Sequence, residues 1–191
     1  MVIKIEDVYN LHKGFDLTLK PGFTALVGPN GAGKTTLLSQ LKTYANQNNI
    51  PVWHYSNRRE GRHMAEAAAL ENRLDFVAAS LTASEGEQVA MHFRYTIRSL
   101  PGFVRIASGP VFILLDAIDS GASIDRARKL REFFDYVIDT EADREVYIIM
   151  AVNHFELARN ADCVHTRTGE HMTFPDYETY ARFILDFFSE N

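Results

Sequence analysis

Eight consecutive residues constrain this chain more than any other stretch: Gly28, Pro29, Asn30, Gly31, Ala32, Gly33, Lys34 and Thr35. They fill the pattern G-x-x-x-x-G-K-[ST] in full. Glycines let the backbone bend so that successive N–H groups turn inward on phosphate oxygens. A helix that begins after Gly33 adds the positive end of its dipole to the same anion. In such a loop Lys34 reaches the β- and γ-phosphates, and the Thr35 hydroxyl is placed to ligate Mg²⁺. Thr36 extends the cradle by one residue. A chain this long meets the pattern by chance roughly 1% of the time at average residue frequencies. The flanks agree with it, because residues 23–27 form an apolar run that ends in the loop and residues 35–44 have helical spacing.

The rest of the chain predicts an α/β layer architecture. Residues 2–5 and 15–19 alternate with period two, as half-buried antiparallel strands do. Residues 52–55 read as a core strand. The two most apolar runs, 111–115 and 146–150, read as central parallel strands, with helical spacing between them over 123–136. Residues 61–100 are rich in Ala, Glu and Arg with few breakers and read as helices. The tail, 177–188, carries Tyr180, Phe183, Phe187 and Phe188 and is expected to dock as a final helix. With no low-complexity segment, linker or repeat, residues 1–191 read as a single domain.

The run from Val111 to Leu115 ends in Asp116. In a parallel sheet that carboxylate lies on the edge where the phosphate loop opens, and it can hold Mg²⁺ opposite Thr35. Together with the loop, this strand-and-Asp pair resembles the ABC-type ATPases, and the likeness continues along nearly the whole chain. Residues 21–38, with the Asn30-Gly31 pair, are similar to that family's phosphate-loop region. Residues 146–154 are similar to its switch-histidine strand, which implies a γ-phosphate contact for His154. Ser84-Glu85-Gly86-Glu87-Gln88 is similar to its signature loop. The resemblance implies that Ser84, Gly86 and Glu87 bind the γ-phosphate held by a second subunit. Ser84-x-x-Glu87 is equally an ordinary helix capping box, and Glu85 stands where the family has glycine. The implied architecture is a P-loop NTPase of ABC type, with a mostly parallel core sheet flanked by helices. An N-terminal antiparallel β element and a compact helical lobe over about 61–109 complete it.

The chain departs from the family at the general base. The glutamate expected after Asp116 is Ala117, which can neither orient a water nor take its proton. Three readings stay open at this point: slow hydrolysis with Asp119 or His154 substituting, an ATP-binding switch that hardly turns over, or a substitution introduced to trap bound ATP. The lid glutamine has no clear counterpart, Asn57 being the nearest, and Tyr9 is the candidate for adenine stacking.

Composition bounds what such a domain works on. At 46% hydrophobic and 24% charged the chain has ample core material, and its longest apolar run, 146–152, is far short of the ~18 to 20 residues that cross a bilayer. The single cysteine, Cys163, excludes an intramolecular disulfide framework and fits a reducing cytoplasm, and the N-terminus lacks an apolar signal core. A net charge of −5 argues against a whole-surface nucleic-acid role. Two basic clusters, Arg58/Arg59/Arg62/His63 and Arg126/Arg128/Lys129/Arg131, are the candidate contacts for a nucleic acid or a DNA-bound partner, although such clusters are commonly solvated faces. The resemblance implies a Mg-ATP-dependent homodimer, and the compact helical lobe without a long coiled coil places it nearer the DNA-associated branch of the family. The cysteine usage and the N-terminus point to the cytoplasm. The alternative is an ATPase coupled to a membrane transporter or a protein-assembly partner, and a P-loop kinase ranks below both.

Overall fold

The computed structural model describes residues 1–8, 14–56 and 97–189. Two short strands, β1 (Val2–Ile5) and β2 (Phe15–Thr18), pair antiparallel with Ile3 opposite Leu17. Their alternation buries Ile3, Ile5 and Leu17 and leaves Val2, Lys4 and Asp16 in solvent.

The main sheet begins with β3 (Gly22–Val27), whose last five residues are all buried. The chain then runs through α1 (Lys34–Gln47), β4 (Val52–Ser56), a 3₁₀ turn (Ile97–Ser99) and α2 (Leu100–Ile106). It continues with β5 (Val111–Asp116), α3 (Ile124–Thr140), β6 (Val146–Ala151), the one-turn α4 (Phe155–Ala158), β7 (Asp162–His165), β8 (His171–Met172) and α5 (Tyr177–Asp186). Strand order is β4-β5-β6-β3-β7-β8, parallel throughout except for the β7–β8 pair. The apolar runs predicted to be central strands, β5 and β6, are buried at every position and lie side by side. That is what a sheet covered on both faces requires.

Alternate residues of β3 feed two cores. Phe23, Ala25 and Val27 pack with Ile113, Leu115, Ile148, Met150, Phe134 of α3 and Tyr180 of α5. Leu26 packs on the other face with Leu114, Ile149, and Leu37, Leu38 and Leu41 of α1, where β1 and β2 add Ile3, Ile5 and Leu17. The result is a mostly parallel α/β sheet flanked by helices, compatible with a P-loop NTPase. Of the helical lobe expected over 61–109, the part up to residue 96 lies outside the described residues, and residues 97–106 form the 3₁₀ turn and α2. Among the described residues no helix is long and apolar enough to cross a membrane.

This topology places the site. From β3 the chain crosses over β6 and β5 to reach β4, whereas β7 lies on the other side of β3. The carboxyl ends of β3, β4, β5 and β6 share one edge of the sheet. Open α/β sheets bind ligands there, where successive connections diverge.

Candidate functional site

The loop after β3 owes its path to glycine. Gly28, Gly31 and Gly33 have φ values of 152°, 84° and 90°, in the region that L side chains avoid. Gly33 is the N-cap of α1 and offers no side chain, and the first turn of α1 contains no acidic residue. The first N–H groups of a 14-residue helix are thus left for an external acceptor, at the end where the dipole favours an anion.

Lys34 is only 8% exposed and donates from Nζ to the carbonyls of Gly28 and Pro29, at 3.1 Å for the latter. Burial lowers its pKa from the usual lysine range, while the charges of Asp119 and Asp116 oppose that shift. An ammonium kept charged in a desolvated loop stores a deficit that an incoming anion relieves. Across the sheet edge the Thr35 hydroxyl donates to Asp116 Oδ1 at 3.1 Å. On the carboxylate's other oxygen, the Ser56 hydroxyl at the end of β4 donates at 3.5 Å. Asp116 itself is 5% exposed.

Lys34, Thr35 and Asp116 line a pocket of about 590 Å³, walled by residues 29–36 together with Asp116, Ala117, Ser120, Ala151 and Asn153. It contains every residue of the loop assigned from sequence except Gly28, which borders the adjoining groove, and both proposed metal ligands, Thr35 and Asp116. Ala117 stands on the wall with φ 57°.

Asp119 and His154 take other places. Asp119 is 4% exposed and does not line the pocket. Its Oδ2 accepts the backbone N–H groups of Asn153 (2.6 Å) and His154 (2.9 Å), and its Oδ1 accepts from Asn153 Nδ2 (3.3 Å). His154 lines a neighbouring groove of about 870 Å³ together with Ile124, Phe155, Tyr177, Ile184 and Leu185, and its Nδ1 accepts from the Glu156 N–H (3.3 Å). The two cavities share Pro29, Asn30 and Asn153.

Asn153, Ser120 and Ser56 were not singled out from sequence. Asn153 directly precedes His154 at the end of β6, and position alone does not say which of two adjacent residues turns into the pocket. Ser84, Gly86, Glu87, Asn57, Tyr9 and the Arg58–His63 cluster lie outside the described residues. The basic face expected on α3 is partly neutralised. Arg128 pairs with Glu156 through two contacts of 2.9 and 3.4 Å, and Arg131 holds Asp135 at 2.9 Å while lying 4.7 Å over the ring of Phe23.

Residues 3–45, from β1 through most of α1, match the family model described as an AAA domain. The match and the fold together indicate a P-loop, ATPase-like nucleotide-binding domain. No curated protein matches the chain at a significant level.

Proposed function

We propose that this chain is an ABC-type ATPase domain spanning residues 1–191 that binds Mg-ATP and works as a nucleotide-driven switch. The observation that carries the reading is the 3.1 Å contact between Thr35 and Asp116 beneath an uncapped helix N-terminus and a desolvated lysine. The loop N–H groups and Lys34 supply the positive surroundings that a polyphosphate requires. The donors also fit a magnesium ion: a hydroxyl and a carboxylate oxygen converge, both hard oxygen ligands, at the lip of an anion cradle. When bound, Mg²⁺ neutralises charge on the phosphate oxygens. The chain's own part is to hold Thr35 and Asp116 in register through the sheet, with Ser56 steadying the carboxylate.

Turnover is slow in this reading, because Ala117 stands on the pocket wall where the family has its glutamate and carries no proton-accepting group. His154 is assigned the switch role by its place after β6, one residue beyond the pocket wall. Ser84, Gly86 and Glu87 are assigned to the γ-phosphate of a second copy, so ATP binding brings two chains together head to tail. A DNA-related process is the proposed setting. Its support within α3 is weakened, since Arg128 and Arg131 are held by Glu156 and Asp135.

Light scattering with and without Mg-ATP tests the switch. A monomer without nucleotide and a dimer with it are expected, the dimer lost in Lys34→Ala and weakened in Ser84→Arg. One unchanged mass under all conditions ends this reading. A DNA-binding assay across salt concentrations tests the setting, since phosphate contact makes affinity fall steeply as salt rises.

A further inference from the structure

The carboxylate of Asp119 grips one corner of the chain. β6 ends at Ala151, and the Val152 N–H still reaches the Leu26 carbonyl (3.0 Å). The next two N–H groups, of Asn153 and His154, find their acceptor in Asp119 Oδ2 instead of the sheet. On the opposite side, the left-handed turn at Ala117 and the Ala122 N–H bond to the Asp119 carbonyl (3.1 Å) fold the β5–α3 connection so that Asp119 points back to β6. The same carboxylate also takes the Asn153 side-chain nitrogen. With both oxygens engaged by this corner and no share in the pocket wall, Asp119 is not placed to draw a proton from a water at the nucleotide, as the substitute-base reading of the sequence requires.

Asp119 can only accept, so it fixes which end of the Asn153 carboxamide faces it. The nitrogen turns to Asp119. The oxygen is the end not turned to Asp119, and because exposed Asn153 lines the pocket as well as the adjoining groove, it is the polar group this residue has left for a nucleotide there. An acceptor oxygen has nothing to give phosphate oxygens directly. It needs an O–H between them.

We infer that Asp119 is a positioning residue and that Asn153, which it orients, holds the attacking water in place of the missing glutamate. The inference rests on the ATPase reading above and deepens it. The Asn153 carboxamide oxygen accepts one O–H of the water. The water oxygen forms a bond to the terminal phosphorus as the bond from that phosphorus to the bridging oxygen breaks, releasing ADP. A neutral carboxamide takes no proton, so the proton leaves with inorganic phosphate. Water is thereby oriented without general-base assistance, which accounts for slow turnover rather than none.

The test is hydrolysis by the full chain at saturating and limiting Mg-ATP, compared among wild type, Asp119→Ala, Asn153→Ala and the double variant. Misplacing a reacting group by about 1 Å costs on the order of 100-fold, so each single variant is expected to lower kcat about 10- to 100-fold, with KM for ATP within about twofold. The double variant is expected to be no slower than the slower single, because the two residues act as one unit. Asn153 is exposed, so Asn153→Ala keeps the test decisive even where Asp119→Ala fails to fold. An Asn153→Ala enzyme at wild-type rate overturns the inference, as does an Asp119→Ala effect that multiplies in full with it. Wild type that binds Mg-ATP through Lys34 yet releases no phosphate overturns the inference and leaves the nucleotide-binding reading standing. Wild type with no more affinity for Mg-ATP than Lys34→Ala removes both.

Discussion

A Cβ added to Gly28 would stand 2.9 Å from Cε2 of Phe187, and equally close to the Thr166 hydroxyl. The first residue of the phosphate loop and a ring just beyond the last helix thus share space that only a glycine leaves open. Phe187 is 5% exposed and stacks on His165, at 4.6 Å between ring centres and 6° between planes. Thr166 donates to the Val27 carbonyl at 3.2 Å, so the end of β3 is braced from the same side.

Gly28→Ala is therefore expected to destabilise the fold by about 1–3 kcal/mol through overpacking, with further cost from its φ of 152°. Phe187→Ala opens a void under the same loop and is expected to cost about 3 kcal/mol. Urea unfolding midpoints check both. Nucleotide affinity should fall in Gly28→Ala even where the protein remains folded, because the loop is displaced.

Lys34 makes the opposite trade. Its charge is desolvated and its pKa lowered in the fold, so Lys34→Met is expected to leave the nucleotide-free protein at least as stable as wild type. The same variant should lose measurable binding of Mg-ATP. Thermal unfolding with and without nucleotide reads both effects, and a Lys34→Met protein stabilised by Mg-ATP as much as wild type would refute the role given to the side chain.

Ala117 sits in the left-handed region at φ 57°, which costs a Cβ-bearing residue roughly 1–2 kcal/mol. Ala117→Gly should accordingly raise stability by up to about 1 kcal/mol. Ala117→Glu meets the same backbone cost as alanine and adds a proton acceptor on the pocket wall. It is expected to raise turnover about 100-fold or more, with little change in unfolding midpoint, by the usual scale of general-base catalysis. Phosphate-release assays on the two variants separate backbone strain from chemistry.

Cys163 is fully buried, its Sγ 3.3 Å from the Ala158 carbonyl, and burial pushes its pKa up to about 12. The thiol should resist thiol reagents at pH 8 and react only on unfolding, at least about 100-fold faster in denaturant. Because the folded pKa lies above the unfolded value, the unfolded chain loses this proton first as pH rises. The contribution to stability is full below about pH 9 and is lost progressively toward pH 12. Comparison with Cys163→Ala over that window isolates it.

What was legible in the sequence was what neighbours in the chain enforce on one another. The phosphate loop is local: three glycines at φ values closed to other residues, a lysine and a threonine, all within eight positions. The alternation of β1 and β2, and the unbroken apolar runs of β5 and β6, follow from side-chain periodicity against one or two buried faces. Asp116 could be placed because it ends such a run.

Only the tertiary structure decided how distant segments meet. Inserting β6 between β3 and β5 brings Asn153 to the pocket beside Asp116, and no local signal fixes that order. At a strand end the pattern of alternation stops, so it cannot say that Asn153 reaches the phosphate-loop pocket while His154 lines only the adjoining groove. Asp119 reads from the sequence as a spare base. The left-handed turn at Ala117 directs it to two backbone N–H groups 34 and 35 residues away. Arg131 meets Asp135 one turn along its own helix, a pairing local spacing already allows, whereas Arg128, basic on paper, is spoken for by Glu156 only once α3 packs beside α4. Glycine geometry, hydrophobic periodicity and one-turn ion pairs are carried by the chain itself, whereas the distant partners of Asp119 and Arg128 are chosen by the fold.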